Sequence, residues 1–193
     1  MIKWIFDRTA AFVGLLLLSP LLLMTMVVVK IKMPDGPVFF RQKRVGQYGR
    51  LFTLIKFRTM KMHDDHSPIS IAGDSRITPF GAFLRRHKFD ELPELWNVLK
   101  GDMSFVGPRP DVPGYADKLQ GESRCILELK PGITGPATLK YRNEEELLAT
   151  QPDPKRYNDE VIWPDKVQIN LEYAKNRTFV GDIKIILNTL HIG

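Results

Sequence analysis

Residues 10–29 read AAFVGLLLLSPLLLMTMVVV, 20 positions without a charge. A straight helix of that length is about 30 Å long, the thickness of a bilayer's hydrocarbon core. Three readings compete: a secretory signal peptide, a spanning helix, and a segment that enters the membrane and leaves by the same face. The run is long for a signal peptide, and no clear small-residue cleavage site follows it. Pro20 stands at its middle, where it removes a backbone donor and clashes with the preceding turn, so a kink is expected. Ser19 beside it can hydrogen-bond a freed carbonyl, which makes such a break tolerable in lipid. Lys3 and Arg8 precede the run and Lys30 and Lys32 follow it. Positive charge on both flanks gives no orientation bias for a crossing, whereas a bent hairpin of two half-helices keeps both ends on the cytoplasmic face. These residues favour a re-entrant helix–break–helix over 1–32, in contact with membrane lipids. Residues 33–193 then form a cytoplasmic domain with interfacial helices.

Working outward, the 193 residues are 44% hydrophobic with a formal charge of +6. That balance supports a folded core and suits an anionic partner. The single cysteine, Cys125, excludes an internal disulfide or a zinc cluster and fits a reducing compartment. Lying beside apolar residues in SRCILEL, it reads as a buried structural thiol rather than a nucleophile.

After a turn built on Pro34, Gly36 and Pro37, residues 38–44 and 51–60 carry β-branched and aromatic side chains around GQYG. They predict a short β-hairpin. KMHDDHSPISIAGDSR is polar and reads as a loop; its HDDH, at 63–66, fits a solvated turn better than a metal site. Thr78 is placed to cap a helix over PFGAFLRRHKF. A second helix is expected over about 91–99, stopped by Gly101. LKPGITGPATLKYRN reads as loop and short strand. EEELLA, NDEVIWPDKVQINLEYAKN and FVGDIKIILNTL read as helices, the last of them amphipathic. Trp96 and Trp163 suit core or interfacial packing rather than catalysis. The expected fold is a small, irregular mixed α/β domain joined to the membrane segment.

The chemistry concentrates in HKFDELPELWNVLKGDMSFVGPRP, residues 87–110. No Walker loop, GxGxxG, GxSxG or HExxH is present. Basic clusters at KRVGQYGR and RRHK lack interleaved exposed aromatics, so no nucleic-acid partner is expected. Asp90 and Glu91 come just after Arg85, Arg86, His87 and Lys88, with Phe89 between. One reading makes Asp90 a helix cap. The other makes the acidic pair a phosphoryl-transfer site. A carboxylate can attack phosphorus, and an ordinary Asp is already ionised at neutral pH. Its approach to an anionic diphosphate needs cations, either Mg²⁺ or Arg and Lys. Mg²⁺ often binds one or two carboxylates together with substrate phosphates, which suits Asp90 and Glu91. Arg85, and Arg109 between its two prolines, are placed to fork onto phosphate oxygens.

The order of membrane Ser-Pro, KFRTM, FDELPELWNVLKGDMSFVGPRP and KPGITG resembles the bacterial sugar transferase family. Within it, the chain is similar to the small monotopic phosphoglycosyl transferases that start glycan assembly on polyprenyl phosphate. The similarity runs over nearly the whole chain, and the long block at 90–110 is its most specific part. The resemblance implies a catalytic core alone, at the cytoplasmic face of the bacterial inner membrane. It implies a ping-pong reaction in which the Asp matching Asp90 attacks the β-phosphate of a UDP-sugar and UMP leaves. Polyprenyl (undecaprenyl) phosphate then takes the sugar phosphate from the aspartate. By the same matching, Glu91 helps to bind Mg²⁺ and to move a proton. Lys56, Arg85, Arg109, Arg142 and Asp182 serve the phosphate and nucleotide region. Ser19 and Pro20 form the break of the membrane helix. The chain departs from the family pattern at Tyr141, where many relatives have glycine, and at Asn170, where they often have aspartate. These departures bear on which sugar is carried. The alternative reading is a membrane-anchored, non-catalytic binding or scaffold protein whose acidic pair only caps a helix.

Overall fold

The computed structural model describes residues 2–61 and 73–191; the HDDH stretch lies outside the described residues. The chain opens with helices α1 (Ile2–Leu17) and α2 (Ser19–Lys32), bent by 62° at their junction. The bend has a local cause. Pro20 has no N–H to offer the Leu16 carbonyl, four residues back. The Ser19 hydroxyl donates to that carbonyl instead, at 2.7 Å. The acceptor freed by proline is therefore satisfied within the bend itself. Among the described residues no single helix is long and apolar enough to cross a membrane; α1 and α2 pass that test only together.

Strands β1 (Phe39–Val45) and β2 (Leu51–Phe57) form the expected antiparallel hairpin. The 3₁₀ turn between them places Tyr48 and Gly49 at φ 58° and 75°. The predicted second strand runs to residue 60, but β2 stops at Phe57. Beyond it Arg58 turns inward, buried, and donates to the Met33 carbonyl. Helix α3 (Pro79–Arg86) starts where expected, with Thr78 Oγ1 accepting the Gly81 N–H at 2.9 Å.

The next helix, α4 (Glu94–Lys100), begins three residues later than the sequence suggests and ends at Gly101, whose φ of 97° suits glycine. Before it, Lys88 adopts a left-handed φ of 56° and Phe89–Glu91 forms a 3₁₀ turn. Buried Asn97 ties α4 to β2. Its Nδ2 donates to the Thr53 carbonyl at 2.8 Å and its Oδ1 accepts the Ile55 N–H at 3.1 Å. This pair of hydrogen bonds fixes the register of α4 against Lys56, the next residue along the strand.

Strands β3 (Ser104–Val106) and β4 (Gly132–Thr134) pair in parallel. Their approach depends on missing side chains: a Cβ on Gly132 would lie 2.2 Å from the Gly107 nitrogen. Short helices α5 (Pro136–Lys140), α6 (Glu144–Ala149) and α7 (Pro154–Tyr157) follow. The predicted helix over 158–176 opens as a π turn, Asn158–Ile162, and continues as α8 (Trp163–Asn176). Pro164 has no N–H for the Glu160 carbonyl, so the regular ladder cannot run through this point. Helix α9 (Phe179–His191) closes the described chain.

The N-terminal pair shares the core of the remainder. Ala11 packs with Phe52, Leu54, Val98 and Met103; Val29 and Met33 pack with Phe57 and Leu84. By contrast Phe12, Leu16, Leu17, Leu23, Met24 and Val27, around the bend, are exposed. Cys125 is half-buried.

Candidate active site

Lys56, Phe40 and Gln42 alternate onto one face of the hairpin, because side chains two apart along a strand point the same way and Lys56 pairs with Phe40. Asn97 holds α4 over that face. Lys56 Nζ therefore meets two carboxylates, Glu91 Oε1 at 2.6 Å and Glu94 Oε1 at 3.2 Å. Arg109 Nη2 donates to the same Glu91 oxygen at 2.8 Å. Two prolines fix the backbone of Arg109, and the glycine contact between β3 and β4 fixes the position of its loop. The Gly132 N–H donates to the Pro108 carbonyl at 2.8 Å.

Asp90 stands next to this clamp. It is buried, and its Oδ1 finds no hydrogen-bond partner among the described residues. Buried carboxylate oxygens are normally satisfied; among the described residues this one is not, and the charges of Lys56, Arg85 and Lys88 act on it. The capping role does not hold. α4 starts behind Pro93 and no side chain caps it or the 3₁₀ turn before it.

The carboxyls of the cluster differ sharply. Burial first, then the adjacent Glu91, push Asp90 above the ordinary carboxylate range, while Lys56, Arg85 and Lys88 pull it back. Asp90 is thus not the unperturbed acid that the residue type alone suggests. Burial alone would also raise Glu91, but Lys56 and Arg109 outweigh it and hold Glu91 well below the usual range. A carboxylate so firmly ionised anchors charge and is a poor proton carrier. Glu94 is pushed up to about 7 by burial and by Glu91, against the pull of Lys56. Of the carboxyls that touch Lys56, Glu94 is the one poised to hold a proton near neutrality. Glu91 in turn pushes the Arg109 guanidinium further up, so it stays charged.

Around this centre lie charged groups that the sequence reading missed. Arg44 donates to the Pro110 carbonyl at 3.1 Å and to Gln42 Oε1 at 2.6 Å. Burial and the charge of Arg109 lower it to about 10. Burial raises Asp111 to about 6. Glu94 had a readable signal, since it follows Glu91 by three residues, nearly one helical turn. Arg44 and Asp111 had none, because only the tertiary fold buries them.

The expected site residues do not all converge. Lys56, Glu91 and Arg109 are in direct contact, and the charges of Lys56, Arg85 and Lys88 act on Asp90. Arg85 is itself ion-paired with Glu145 of α6. Arg142 is exposed in the turn between α5 and α6. Asp182 is buried and held by Lys3 Nζ at 2.5 Å and by the Tyr173 hydroxyl at 2.6 Å, a tie between α1, α8 and α9. At the two departures from the family pattern, Tyr141 donates to Asp165 at 2.7 Å, while Asn170 is buried and its Oδ1 has no partner among the described residues. Asn170 lines a cavity of about 20 Å³ together with Arg109 and Asp111.

The residues that carry this site match known proteins over their full extent. A family model described as bacterial sugar transferase matches residues 1–193. The chain is 40% identical over 190 residues to the UDP-glucose:undecaprenyl-phosphate glucose-1-phosphate transferase of Xanthomonas campestris pv. campestris, covering 95% of this chain and 37% of that protein. It is 38% identical to the uncharacterized sugar transferase EpsL of Bacillus subtilis (strain 168), covering 98% of this chain and 85% of that one. It is 35% identical to the UDP-N-acetylgalactosamine-undecaprenyl-phosphate N-acetylgalactosaminephosphotransferase of Aeromonas hydrophila, covering 95% and 41%. The chain thus spans most of the Bacillus protein and well under half of the other two. With the whole chain matched, the protein belongs to the bacterial sugar transferase family.

Proposed function

We propose that the chain transfers a sugar 1-phosphate from a UDP-sugar to polyprenyl (undecaprenyl) phosphate through a covalent phosphosugar on Asp90. The observation that carries this reading is the unpaired, buried Asp90 oxygen beside a carboxylate clamped by Lys56 and Arg109. The activities named for the Xanthomonas and Aeromonas relatives support the same reaction class.

The steps balance. An Asp90 oxygen attacks the β-phosphorus, the bond from that phosphorus to the bridging oxygen breaks, and UMP leaves with the bridging oxygen. Arg109 and Lys56 offset the negative charge that gathers there. A phosphate oxygen of the polyprenyl acceptor then attacks the same phosphorus. The aspartyl–phosphorus bond breaks, the Asp90 carboxylate is restored, and polyprenyl diphosphate sugar departs. Glu94, which burial raises to about 7, is the carboxyl of the cluster best suited to take a proton from the acceptor phosphate.

Mg²⁺ fits the residues present in a limited sense. Among the described residues no group of three or more Asp, Glu, His or Cys forms a metal cage. Asp90 and Glu91 are the ligands we propose, which suits an ion that arrives with the donor's phosphates and fills its shell from them. When bound, it supplies charge neutralisation at the diphosphate.

The membrane arrangement is part of the proposal. Residues 1–32 dip into the cytoplasmic leaflet of the bacterial inner membrane and return, and residues 33–193 sit on its surface. Support comes from the bend at Ser19 and Pro20, the exposed apolar side chains around it, and the lysines at both ends. The acceptor's phosphate lies at the headgroup plane while its tail stays in lipid, so a site held at that depth reaches it.

The test is donor turnover. The chain in lipid nanodiscs, given a panel of UDP-sugars and undecaprenyl phosphate, should release UMP from at least one of them. Asp90→Asn should release none. Normal turnover by Asp90→Asn would remove the nucleophile from the account.

A further inference from the structure

An open groove of about 700 Å³ lies beside the catalytic cluster, bounded by Gln42 and Lys43 of β1, the 112–115 loop, and Trp163 at the start of α8. Its volume falls within the usual range for small-molecule sites. Its wall is built in advance. Tyr115 and Trp163 meet edge to face with ring centroids 5.2 Å apart. The Tyr115 hydroxyl is fixed by a 2.6 Å bond to Asp159, and Trp163 packs against Val45, Ala116 and Leu127. Among the described residues, exposed Lys43 has no ion-pair partner, so its charge is available at the rim.

Two short lengths of chain tie the groove to Lys56 and Arg109. Gln42 is two residues along β1 from Phe40, the partner of Lys56, which is about 7 Å of strand. Val112 is three residues beyond Arg109, at most about 11 Å of chain. The chain runs from Arg109 through Pro110 and Asp111 into the groove, and Arg44 bonds the Pro110 carbonyl on the way.

We propose that this groove receives the nucleoside half of the donor, with the uracil ring against Tyr115 and Trp163 and Lys43 adding positive charge at the entrance. This rests on the reading of the chain as a UDP-sugar transferase and names where the UMP part sits. The sugar, which stays on the β-phosphorus after UMP leaves, lies outside it.

The test uses the full chain in nanodiscs, with the UDP-sugar that it turns over best and with UMP as inhibitor. Tyr115→Ala should lower kcat/KM for the donor and raise the Ki for UMP, each on the order of tenfold, the usual scale for losing one base-stacking ring. Tyr115→Phe keeps the ring and should stay within about threefold by the same argument. Lys43→Glu, an exposed strand position that does not disturb the core, should raise the UMP Ki several-fold, more so at low salt. In a ping-pong scheme kcat/KM for the acceptor should not move in any of these variants. If Tyr115→Ala melts far below the wild type, Lys43→Glu and Tyr115→Phe decide the matter. Unchanged UMP inhibition in Lys43→Glu together with unchanged donor kcat/KM in Tyr115→Ala, at undiminished turnover, overturns the groove assignment. A change confined to the acceptor overturns it too. No UMP release by the wild type from any UDP-sugar is a different result, and it sinks the parent reading as well.

Discussion

Glu94→Gln isolates the least expected feature of the site. Glu94 is buried, touches Lys56 at 3.2 Å, and is raised from 4.5 to about 7. The sign follows from linkage. A carboxyl whose folded pKa lies above its unfolded one binds a proton more tightly in the folded state, so folding stability falls as pH rises through the window from 4.5 to about 7. Each pH unit of that window weighs about 1.36 kcal/mol, so at pH 8 the ionised side chain costs the fold on the order of 3 kcal/mol. That figure already includes the attraction of Lys56, which opposes the shift. Glutamine has the same shape and no charge. The variant should match the wild type near pH 4.5 and exceed it at pH 8. For a chain of this size about 2–4 °C of Tm accompanies each kcal/mol, so the gap at pH 8 should reach roughly 6–12 °C. The assay is thermal melting of both proteins in the same nanodiscs at half-unit steps from pH 4.5 to 8. Parallel melting curves across that range would mean that Glu94 is ionised throughout or is wetted in solution, and that its carboxyl is not raised in the fold. The same variant tests the proton role: it should slow transfer to the acceptor while the donor step and its UMP burst persist.

Three further expectations follow from named contacts. Because burial and Glu91 raise Asp90, the donor half-reaction should lose rate as pH falls through a value above the ordinary Asp pKa of 3.8. A UMP burst that stays flat down to pH 4.5 would contradict this. Asp182→Asn breaks the tie to Lys3 and weakens the Tyr173 bond, so it should lower stability by about 1–3 kcal/mol and leave donor kcat/KM within a few-fold; an unchanged Tm with lost UMP release would instead place Asp182 in the substrate site. Gly132→Ala drives a methyl group to 2.2 Å from the Gly107 nitrogen and should cost about 1–3 kcal/mol or more while displacing the loop that carries Arg109, so that melting temperature and UMP release fall together.

What was legible in the sequence was local. Thr78 caps α3, Gly101 ends α4, and the hairpin around GQYG forms, because each depends on residues within a few positions. The break at Ser19 and Pro20 was legible for the same reason: the lost donor and its replacement lie within one turn. What escaped was set by distant contacts. The start of α4 moved because Lys88 takes a left-handed turn that no helix pattern encodes. The three-residue strand β3 exists only because its partner lies about 28 positions away at Gly132. The same holds for the site. The acidic pair and Arg109 could be read from residue type and spacing. The assignment of a firmly ionised Glu91 and a near-neutral Glu94 could not, because it depends on which carboxylate the hairpin lysine meets more closely. Asp182 had the right residue type, but the fold joins it to Lys3 at the far end of the chain.

The central claim is that an oxygen of one side chain carries the sugar phosphate between donor and acceptor. Incubation of the protein with its UDP-sugar in the absence of polyprenyl phosphate, quenching, and intact-mass measurement test it directly. The protein should gain the mass of one phosphosugar, located on Asp90 by peptide mapping, absent in Asp90→Asn, and lost when undecaprenyl phosphate is added. An unmodified protein under conditions where lipid-linked product still accumulates would contradict it.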